Sequence, residues 1–320
     1  MKNSKLYYSV GPLLYCPANN SSITRSLTEN RFGTGYSLAL CLEDTIGDNF
    51  VTQAEDILVR SLNTLFKVSQ NTAFFMPKIF IRVRRAEQMI NLTKRLGNSG
   101  EILTGFILPK FEPANAAAYI EAAENIQHTV SHKLYIMPIL ESPAIIDLRY
   151  RARILYELKD RLAAIEEYVL NIRVGGNDLC NQFGIRRHSN ESIHSIRPVA
   201  DIFSDIVTVF GRDYVVSGPV WEYYNGKNWA AGLRQELQED RLCGFIGKTA
   251  IHPNQIPLIN QAYAVTPEDY RDARSILDWS KDSASLVAGN VQKERMNEQK
   301  THARWAQKIL YLSEIYGIRS

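Results

Sequence analysis

Short runs of apolar residues alternate with amphipathic stretches along most of the chain. Several runs are apolar at consecutive positions, as in YIMPIL and GFILP, which is typical of parallel strands covered by helices on both faces. The runs predict eight strands: Leu13–Ala18, Ser37–Glu43, Lys78–Val83, Gly105–Lys110, Lys133–Glu141, Tyr168–Val174, Tyr214–Pro219 and Gly244–Ile251. The amphipathic stretches predict eight helices: Ser22–Arg31, Thr52–Phe66, Arg85–Leu96, Ala114–Asn125, Ala144–Ala164, Ile193–Phe210, Asn228–Leu242 and Gln255–Ala264.

Eight strands alternating with eight helices predict an α/β fold, a (β/α)8 TIM barrel, over residues 1–265. An open doubly wound sheet is the alternative, because the sequence alone does not show closure. Residues 266–320 are expected to form a C-terminal helical extension that serves as a lid or in oligomerisation. Its first helix is capped by Thr266, has Pro267 at the first position and is expected to run to about Ala288, where Gly289 and Asn290 stop it.

The last helix of the extension carries an apolar stripe at spacings of four, three and four residues. The stripe consists of Trp305, Ile309, Leu312 and Tyr316. A stripe of this kind packs against its own barrel or against a neighbouring subunit. The second alternative predicts a homo-oligomer.

The composition narrows the class of protein. Lys and Arg number 37 and Asp and Glu 34, and a net charge of +3 does not favour nucleic acid or an anionic membrane as partner. Four cysteines without a CxxC spacing indicate neither a zinc site nor a disulfide framework, so we expect reduced thiols and a cytoplasmic location.

No run approaches the ~18 apolar residues of a membrane helix. Because Gly11 and Pro12 break the run Tyr7–Cys16, we interpret that segment as mature structure rather than as a signal.

Polar residues gather where the predicted strands end, and in a barrel the chemistry takes place at those carboxyl ends. The charged or ionisable candidates are Glu43, Asp44, Arg82, Arg84, Lys110, Glu141, Asp178, Lys248 and His252. Burying this much charge without a function is expensive. Glu141 and Asp178 end adjacent strands, and Mg²⁺ commonly takes one or two protein carboxylates with water and substrate as its other ligands. Taken singly, Glu141 also fits a solvated strand end and Asp178 a turn.

The order of these segments resembles a known family. The segments are LLYCPANN, CLEDT, FIRVR, GFILPK, PILES, RVGGNDL and GKTAIHPNQI, followed by IN and TPE. They are similar to the citrate lyase β-subunit and malyl-CoA lyase group of TIM-barrel carbon–carbon bond lyases, the HpcH/HpaI aldolases, from residue 13 to about residue 275. The long loop Trp221–Trp229 and the long tail are most similar to the lineage found near bacterial tellurium-resistance gene clusters.

The resemblance implies roles for the charged residues. Glu141 and Asp178 match the two metal-binding carboxylates, with Mg²⁺ or Mn²⁺ as the ion, and Arg82 matches the arginine that contacts the carbonyl or carboxylate of the substrate. The resemblance also implies a small-molecule acid as substrate, with a CoA thioester as an open possibility, and a homo-oligomer that is a trimer or a multiple of one.

Five further residues receive roles from the same resemblance. Glu43 and Asp44 match the carboxylates that border the metal, and the candidates for the general base are Asp44, Glu43 and a metal-bound hydroxide. Lys110 matches a lysine that supplies supporting charge at the substrate. Lys248 and His252 match the segment at the mouth of the thioester-binding cleft.

The sequence thus predicts a Mg²⁺-dependent carbon–carbon bond lyase for a small hydroxy or keto acid or its thioester. The alternative is a non-catalytic or differently catalytic barrel that serves as a binding subunit of a larger assembly. The chain departs from the family at Gly11-Pro12, where Arg-Ser is usual, at Arg84, where Asn is usual, and at Ser142-Pro143, where small residues are usual. These changes surround the substrate pocket, so they concern thioester use more than the metal site.

Overall fold

A computed structural model of the protein describes residues 4–280 and 283–319, and a sheet of eight parallel strands forms its centre. The strands are β1 (Pro12–Pro17), β2 (Ser37–Cys41), β3 (Lys78–Arg82), β4 (Leu103–Leu108), β5 (Tyr135–Leu140), β6 (Ile172–Val174), β7 (Val216–Ser217) and β8 (Lys248–Ala250). Each of them lies within or overlaps one of the eight predicted runs. Because their residues are apolar at consecutive positions, they are covered on both faces.

The sheet closes on itself. Strands β1 to β7 are neighbours in chain order, and β8 pairs with the other side of β1. Between β7 and β8, the Gly218 amide donates to the Gly247 carbonyl at 3.0 Å and the Ile246 amide donates to the Val216 carbonyl at 2.8 Å. A parallel bridge from Gly218 to Lys248 completes the contact. The predicted barrel is therefore confirmed, and the open sheet is excluded.

Helices surround the barrel between successive strands. They are α1 (Ile23–Thr28), α2 (Val51–Ser69), α3 (Ala86–Leu96), α4 (Pro113–Gln127), α5 (Arg151–Ala163), α6 (Gly176–Gln182), α7 (Arg197–Phe210), α8 (Trp229–Cys243) and α9 (Gln255–Tyr263). The short helix α6 was not predicted. In the described part of the chain, no helix combines the length and the apolar character needed to cross a membrane.

Helix α5 begins at Arg151, later than the predicted start at Ala144. One 3-10 turn forms at Pro143–Ile145, and the chain then bends at Asp147, whose carboxylate accepts the Arg149 amide at 3.0 Å. Such a side-chain bond competes with the helical hydrogen bonds and delays the helix.

The barrel interior is filled by side chains from the inward faces of the strands. Its apolar layers contain Leu13, Ala39, Phe80, Ile107, Met137 and Ile139, all at most 4% exposed. A filled interior makes the barrel a rigid support for the groups at its rim rather than a pore.

The C-terminal extension contains α10 (Pro267–Leu277), a hairpin of β9 (Val287–Gly289) and β10 (Met296–Glu298), and α11 (Gln299–Tyr316). The cap is as predicted, since Thr266 Oγ1 accepts the Asp269 amide at 3.1 Å. The predicted run of the first helix to about Ala288 is wrong, because α10 ends at Leu277. Asp and Ser follow it, and their side chains disfavour helix interiors. Residues 281–282 of that prediction lie outside the described residues.

Helix α11 packs on its own chain, at the amino end of the barrel. Its buried face forms a second core with residues that precede the strands, and the core includes Tyr8, Val215, Ile246, Val265, Ala306, Ile309 and Leu312. The Tyr316 hydroxyl donates to the Tyr8 carbonyl at 3.2 Å. The apolar stripe of α11 therefore packs against its own barrel and not against a neighbouring subunit. It gives no physical reason for an oligomer, and the homo-oligomer stays a prediction. The described extension also lies opposite the carboxyl end of its own barrel.

Candidate active site

Charged side chains from four consecutive strands meet at the carboxyl end of the barrel. Glu43 and Asp44 follow β2, Arg82 ends β3, Lys110 follows β4 and Glu141 follows β5. They meet because the carboxyl ends of parallel strands lie at the same rim. The structure thus brings together five of the residues predicted from the strand ends.

Arg82 lies at the centre of this cluster. Its Nη2 is 2.5 Å from Glu43 Oε2, 2.9 Å from Asp44 Oδ2 and 3.3 Å from Glu141 Oε1. Burial by itself would lower the pKa of the guanidinium, but Tyr15, Glu141 and Glu43 together raise it, so Arg82 stays charged. Its Nε is buried and has no hydrogen-bond partner in the protein. One N–H of a permanent cation is therefore left for another acceptor.

Lys110 contacts the cluster twice. Its ammonium lies 2.7 Å from Glu43 Oε1 and 3.3 Å from Asp44 Oδ1. Its backbone has a φ of +47°, in the left-handed region that non-glycine residues rarely adopt. In this conformation the Lys110 amide donates to Glu141 Oε1 at 3.0 Å. Strained backbone of this kind concentrates at functional sites, and here it holds the Glu141 carboxylate.

Glu141 is 3% exposed. Burial, aided by the nearby charge of Asp178 and opposed by Arg82, raises the pKa of Glu141 to about 8. A Cβ at Gly175 would lie 1.9 Å from Glu141 Oε2, so only glycine allows the carboxylate to approach the end of β6. The Glu141 carboxylate therefore lies close to the backbone that follows β6.

Asp178 lies in the first turn of α6, four residues beyond the end of β6, and not at the strand end where it was predicted. Within the described residues its carboxylate has neither a hydrogen bond nor an ion pair. It is close enough to Glu141 to raise the pKa of that group. Because Arg82 is shared among three carboxylates, the two neighbouring carboxylates Glu141 and Asp178 are only partly neutralised.

The carboxylate pair fits a hard divalent cation. Carboxylate oxygens are preferred ligands of Mg²⁺, and the ion commonly binds only one or two of them in a protein. The described residues contain no group of three or more His, Cys, Asp or Glu side chains able to hold a metal. The donor set therefore matches Mg²⁺ or Mn²⁺ better than it matches a structural zinc site.

Glu43 and Asp44 have pKa values shifted in opposite directions. Burial raises the pKa of Glu43 despite the opposing charge of Arg82. Burial would also raise the pKa of Asp44, but the hydrogen bond with Glu43 and the charges of Arg82 and Lys110 lower it overall. Because the environment separates the two values, Glu43 is the stronger base of the pair.

Arg84 directly follows the predicted run Lys78–Val83, and its charge does not contact the cluster. Its guanidinium donates to the Leu42 carbonyl at 2.7 Å and to the Glu43 carbonyl at 3.2 Å, and it also donates to the Ile46 carbonyl. It pairs with Asp48 at 2.6 Å. These hydrogen bonds and the ion pair stabilise the conformation of the loop that contains Glu43 and Asp44.

Lys248 lies away from the cluster. Its ammonium is fully buried between β8 and α8, 2.9 Å from Glu236 Oε1 and 2.6 Å from Asp240 Oδ2. Both of its partners belong to α8, so the lysine points away from the barrel interior. This contact joins a strand to the helix that covers it.

His252 lies after β8 and is partly exposed. Its ring stacks on Tyr224, with the centroids 4.7 Å apart and the planes at 7°. Tyr224 belongs to the loop Trp221–Trp229, in which Trp221 is fully buried. The loop thus combines a packed base with an exposed aromatic side chain that covers the histidine.

Two interior residues were not predicted, Tyr15 and Arg173. Tyr15, on β1, lies with its ring 5.9 Å from the Arg82 guanidinium. Arg173, on β6, is 1% exposed and donates to Thr249 Oγ1 at 2.8 Å. A basic residue within a run otherwise predicted to be buried was the available signal for Arg173.

The closed barrel and the charged rim at its carboxyl end define a TIM-barrel protein of the enzyme type. The sequence matches the family described as carbon–carbon bond lyases of the TIM-barrel fold over residues 4–318. The chain therefore belongs to this family, and the resemblance to citrate lyase β-subunits is confirmed.

Among curated proteins, the chain is similar to citrate lyase subunit beta of Escherichia coli K12, with 30% identity over 96 residues. That match covers 30% of this chain and 32% of the relative, so it spans about a third of the relative's length. It bears on 96 residues of this chain only.

Solved structures with the same fold cover more of the chain. CitE from Mycobacterium tuberculosis, in complex with magnesium, acetoacetate and coenzyme A, has a TM-score of 0.62 at 17% identity and covers 96% of this chain and 99% of its own. The citrate lyase beta subunit of the same organism, complexed with oxaloacetate and magnesium, gives 0.54 at 20% identity, with 81% and 99% covered. RipC from Yersinia pestis gives 0.55 at 18% identity, with 82% and 98% covered. These likenesses show the fold, and the tellurium-resistance lineage stays a prediction.

Proposed function

We propose that the protein is a Mg²⁺-dependent carbon–carbon bond lyase that acts on a small hydroxy or keto acid or its thioester, in an aldol or Claisen type of cleavage or condensation. The observation that carries the proposal is the unpaired Asp178 carboxylate near the buried Glu141, which Arg82 and the Lys110 amide also contact. The solved relatives that bind magnesium with acetoacetate or oxaloacetate give it further support.

Glu141 and Asp178 are the residues that would hold the metal ion. When bound there, Mg²⁺ or Mn²⁺ supplies Lewis acid chemistry and orients an acid substrate. The Lys110 amide and Arg82 keep the Glu141 carboxylate in place for this role. The buried position of Glu141 excludes water from one side of the site.

Arg82 would stabilise the oxygen that becomes anionic during bond cleavage. Its side chain is held by three carboxylates, while its Nε remains without an acceptor. A preorganised, charged donor of this kind stabilises a transition state more than a ground state, because the charge on the oxygen develops only during the reaction.

The pair of Glu43 and Asp44 would supply the general base. In the cleavage direction the base takes the proton of the substrate hydroxyl, and that oxygen forms the new carbonyl. The carbon–carbon bond then breaks and its electron pair forms an enolate, which takes up a proton to complete the product. The raised pKa of Glu43 favours it as the base, and Lys110 next to both carboxylates limits their mutual repulsion.

His252 remains a candidate for the carrier part of a thioester substrate, since it is partly exposed and stacks with Tyr224 beside the barrel mouth. Lys248 supports the wall of the barrel at the same place. Its buried pairing with Glu236 and Asp240 gives its charge a structural use that needs no substrate.

The test is product formation from a panel of β-hydroxy acids and their CoA esters, with and without Mg²⁺. We expect cleavage of at least one of them that requires Mg²⁺ and that the Asp178→Asn variant lacks. The exposed Asp201, replaced in Asp201→Asn, gives a matched control that should retain activity. If the wild type forms no product from any member of the panel, the alternative of a non-catalytic binding subunit takes the place of this proposal.

A further inference from the structure

A cleft of about 450 Å³ lies on the outside of the barrel, between α8, α9 and the segment that follows α11. Its charged lining consists of Arg234, Arg241 and Arg319, and no acidic side chain of the described residues lines it. These three arginines also form no ion pair within the described part of the chain. By contrast Arg187, which also contacts α8, pairs with Glu236 of that helix. The cleft therefore gathers positive charge that the protein itself does not neutralise.

The arginines of α8 lie on one face of the helix. Arg234, Gln238 and Arg241 follow one another at intervals of four and three residues, which places them side by side along the cleft. The helix dipole favours Arg241 in the last turn of α8, but it does not account for Arg234, which lies about two turns earlier. A local helix effect thus explains one of these charges and leaves the other unexplained.

The cleft is separate from the candidate active site. Helices α8 and α9 run antiparallel to the strands, so their last turns lie towards the amino end of the barrel. Arg241 belongs to the last turn of α8, and Ala262 of the cleft belongs to the last turn of α9. The charged rim around Arg82 and Glu141 lies at the opposite end.

A fourth cation lies beside the cleft. Lys308 of α11 is partly buried, and it forms neither a hydrogen bond nor an ion pair within the described residues. Burial lowers the pKa of its ammonium, and the nearby charge of Arg241 lowers it further. Lys308 and Arg241 therefore repel each other across a region without a described carboxylate, and a bound anion would relieve this repulsion.

Arg319 is held in place by the backbone around it. Its amide donates to the Val265 carbonyl at 2.7 Å, and the Val265 amide donates to the Gly317 carbonyl at 3.0 Å. Its guanidinium donates from Nε to the Ala264 carbonyl at 2.9 Å and from Nη2 to the Ala262 carbonyl at 3.1 Å. Among the described residues, its Nη1 has no partner. A guanidinium that is already fixed loses little side-chain entropy when it binds an anion, so this wall of the cleft is preorganised.

We propose that the cleft binds the phosphate groups of a small molecule that carries two phosphoryl groups. Guanidinium groups bind phosphate oxygens with pairs of parallel hydrogen bonds, and the amides of Gln238 and Gln261 add further donors. Each phosphoryl group carries about 1.5 to 2 negative charges at neutral pH, so two of them balance the three arginines and Lys308 more closely than one does. The volume of the cleft suits a ligand of this size, and Leu258 offers it an apolar contact.

The test measures the binding of inorganic diphosphate and of orthophosphate by isothermal titration calorimetry, at low ionic strength and without divalent cations. Leaving out Mg²⁺ removes the ion that would hold a phosphate at Glu141 and Asp178. The proteins are the wild type, Arg241→Gln, Arg319→Gln and the control Arg60→Gln. Arg60 is an exposed arginine of α2 without an ion pair in the described chain, so the control makes the same change of charge outside the cleft.

We expect the wild type to bind one diphosphate per chain, and to bind it more tightly than orthophosphate. Arg241→Gln and Arg319→Gln should each weaken diphosphate binding by about 10-fold or more, the size of a lost charged hydrogen bond, and Arg60→Gln should stay within about 2-fold of the wild type. Thermal unfolding gives a second readout, because a ligand that binds the folded state raises the Tm. Diphosphate should raise the Tm of the wild type and of Arg60→Gln more than that of the two cleft variants. The Tm without ligand shows that each variant folds.

Three results would overturn the site. The first is a wild type that binds no diphosphate, which needs no variant to fold. The second is an equal loss of affinity in Arg60→Gln and in the cleft variants, which would show a general attraction of anions to a basic protein. The third is wild-type affinity in both Arg241→Gln and Arg319→Gln, which would place the bound anion elsewhere on the molecule. None of these results bears on the proposed lyase function, which does not depend on the cleft.

Discussion

The two ends of the barrel are built from the same eight strands but are closed by opposite kinds of interaction. At the carboxyl end, Arg82 contacts three carboxylates and Asp178 has no partner among the described residues. At the amino end, Tyr8 and Val215 pack against Ile309 and Leu312 of α11. Apolar burial contributes about 25 cal/mol per Å², whereas buried charge is at best near neutral for stability. The barrel therefore separates stabilisation from chemistry along its axis.

Each end contains one feature that does not fit this division. At the carboxyl end, Gly175, which directly follows β6, packs against Glu141 so closely that the site depends on the absence of a side chain there. At the amino end, Lys78 is half-buried and its ammonium donates only to the Ser9 carbonyl, at 3.3 Å, among the contacts of the described chain. These two exceptions show where the comparison can be tested.

The largest effect is expected for Asp178→Asn. In the proposed site the Asp178 carboxylate binds only the metal, and its loss should abolish Mg²⁺ binding. Even substitutions of residues that merely hydrogen-bond to a metal ligand reduce metal affinity by about 10-fold to 100-fold. Turnover should be lost with it, and the free energy of unfolding should stay near that of the wild type. Calorimetric Mg²⁺ titration measures the first effect. Unchanged Mg²⁺ affinity would remove Asp178 from the metal site.

A smaller effect on turnover is expected for Arg82→Ala. Removal of one charged donor to a developing oxyanion costs about 10² to 10³ in rate. Mg²⁺ should still bind, because a cation is not a ligand and the Lys110 amide still holds the Glu141 carboxylate. Steady-state kinetics on the substrate identified by the panel measures the loss. Arg82→Lys, which keeps the charge, is the control, and equal turnover in Arg82→Ala and wild type would contradict the role.

At the amino end, Leu312→Ala should destabilise the fold without touching the chemistry. Leu312 is 7% exposed within the second core, and the truncation of a buried leucine costs about 2 to 5 kcal/mol. Urea unfolding measures the change, and the Mg²⁺ affinity should equal that of the wild type. Leu242, which is 83% exposed, gives the control Leu242→Ala with little expected change. A variant of Leu312 as stable as the wild type would show that α11 does not close the barrel.

The strand order and most of the rim could be predicted from the sequence, because each rim residue lies at or next to the end of a run of apolar residues. Glu43, Arg82, Lys110 and Glu141 are of this kind. The position of Asp178 could not be predicted in detail, since Gly-Gly-Asn-Asp is typical of a turn and the structure forms helix α6 there.

Arg173 and Lys248 show a second limit. In a strand that is buried on both faces, the apolar pattern does not tell which residues point into the barrel and which point to the helices. Thr249 contacts Arg173 in the interior, so its neighbour Lys248 points outward to α8. The carboxylates that neutralise Lys248, and the lack of one near Arg173, depend on contacts between distant segments.

The smallest effect concerns Lys78, the half-buried cation at the amino end. Burial lowers the pKa of its ammonium from the ordinary value of 10.5. Between the lowered pKa and 10.5 the unfolded chain binds more protons than the folded one, so in this window the free energy of unfolding rises with pH. Below this pH window, at neutral pH, the full free-energy cost of partly burying the charge is present.

Lys78→Met should therefore stabilise the protein at neutral pH, by about 1 kcal/mol or less because water screens the exposed part of the side chain. The gain in stability over the wild type should shrink near pH 10. Urea unfolding at both pH values measures this, with the exposed lysine of Lys67→Met as control. A less stable Lys78→Met at neutral pH would mean that the bond to the Ser9 carbonyl outweighs the cost of burial, and that even the amino end of the barrel relies on a buried charge.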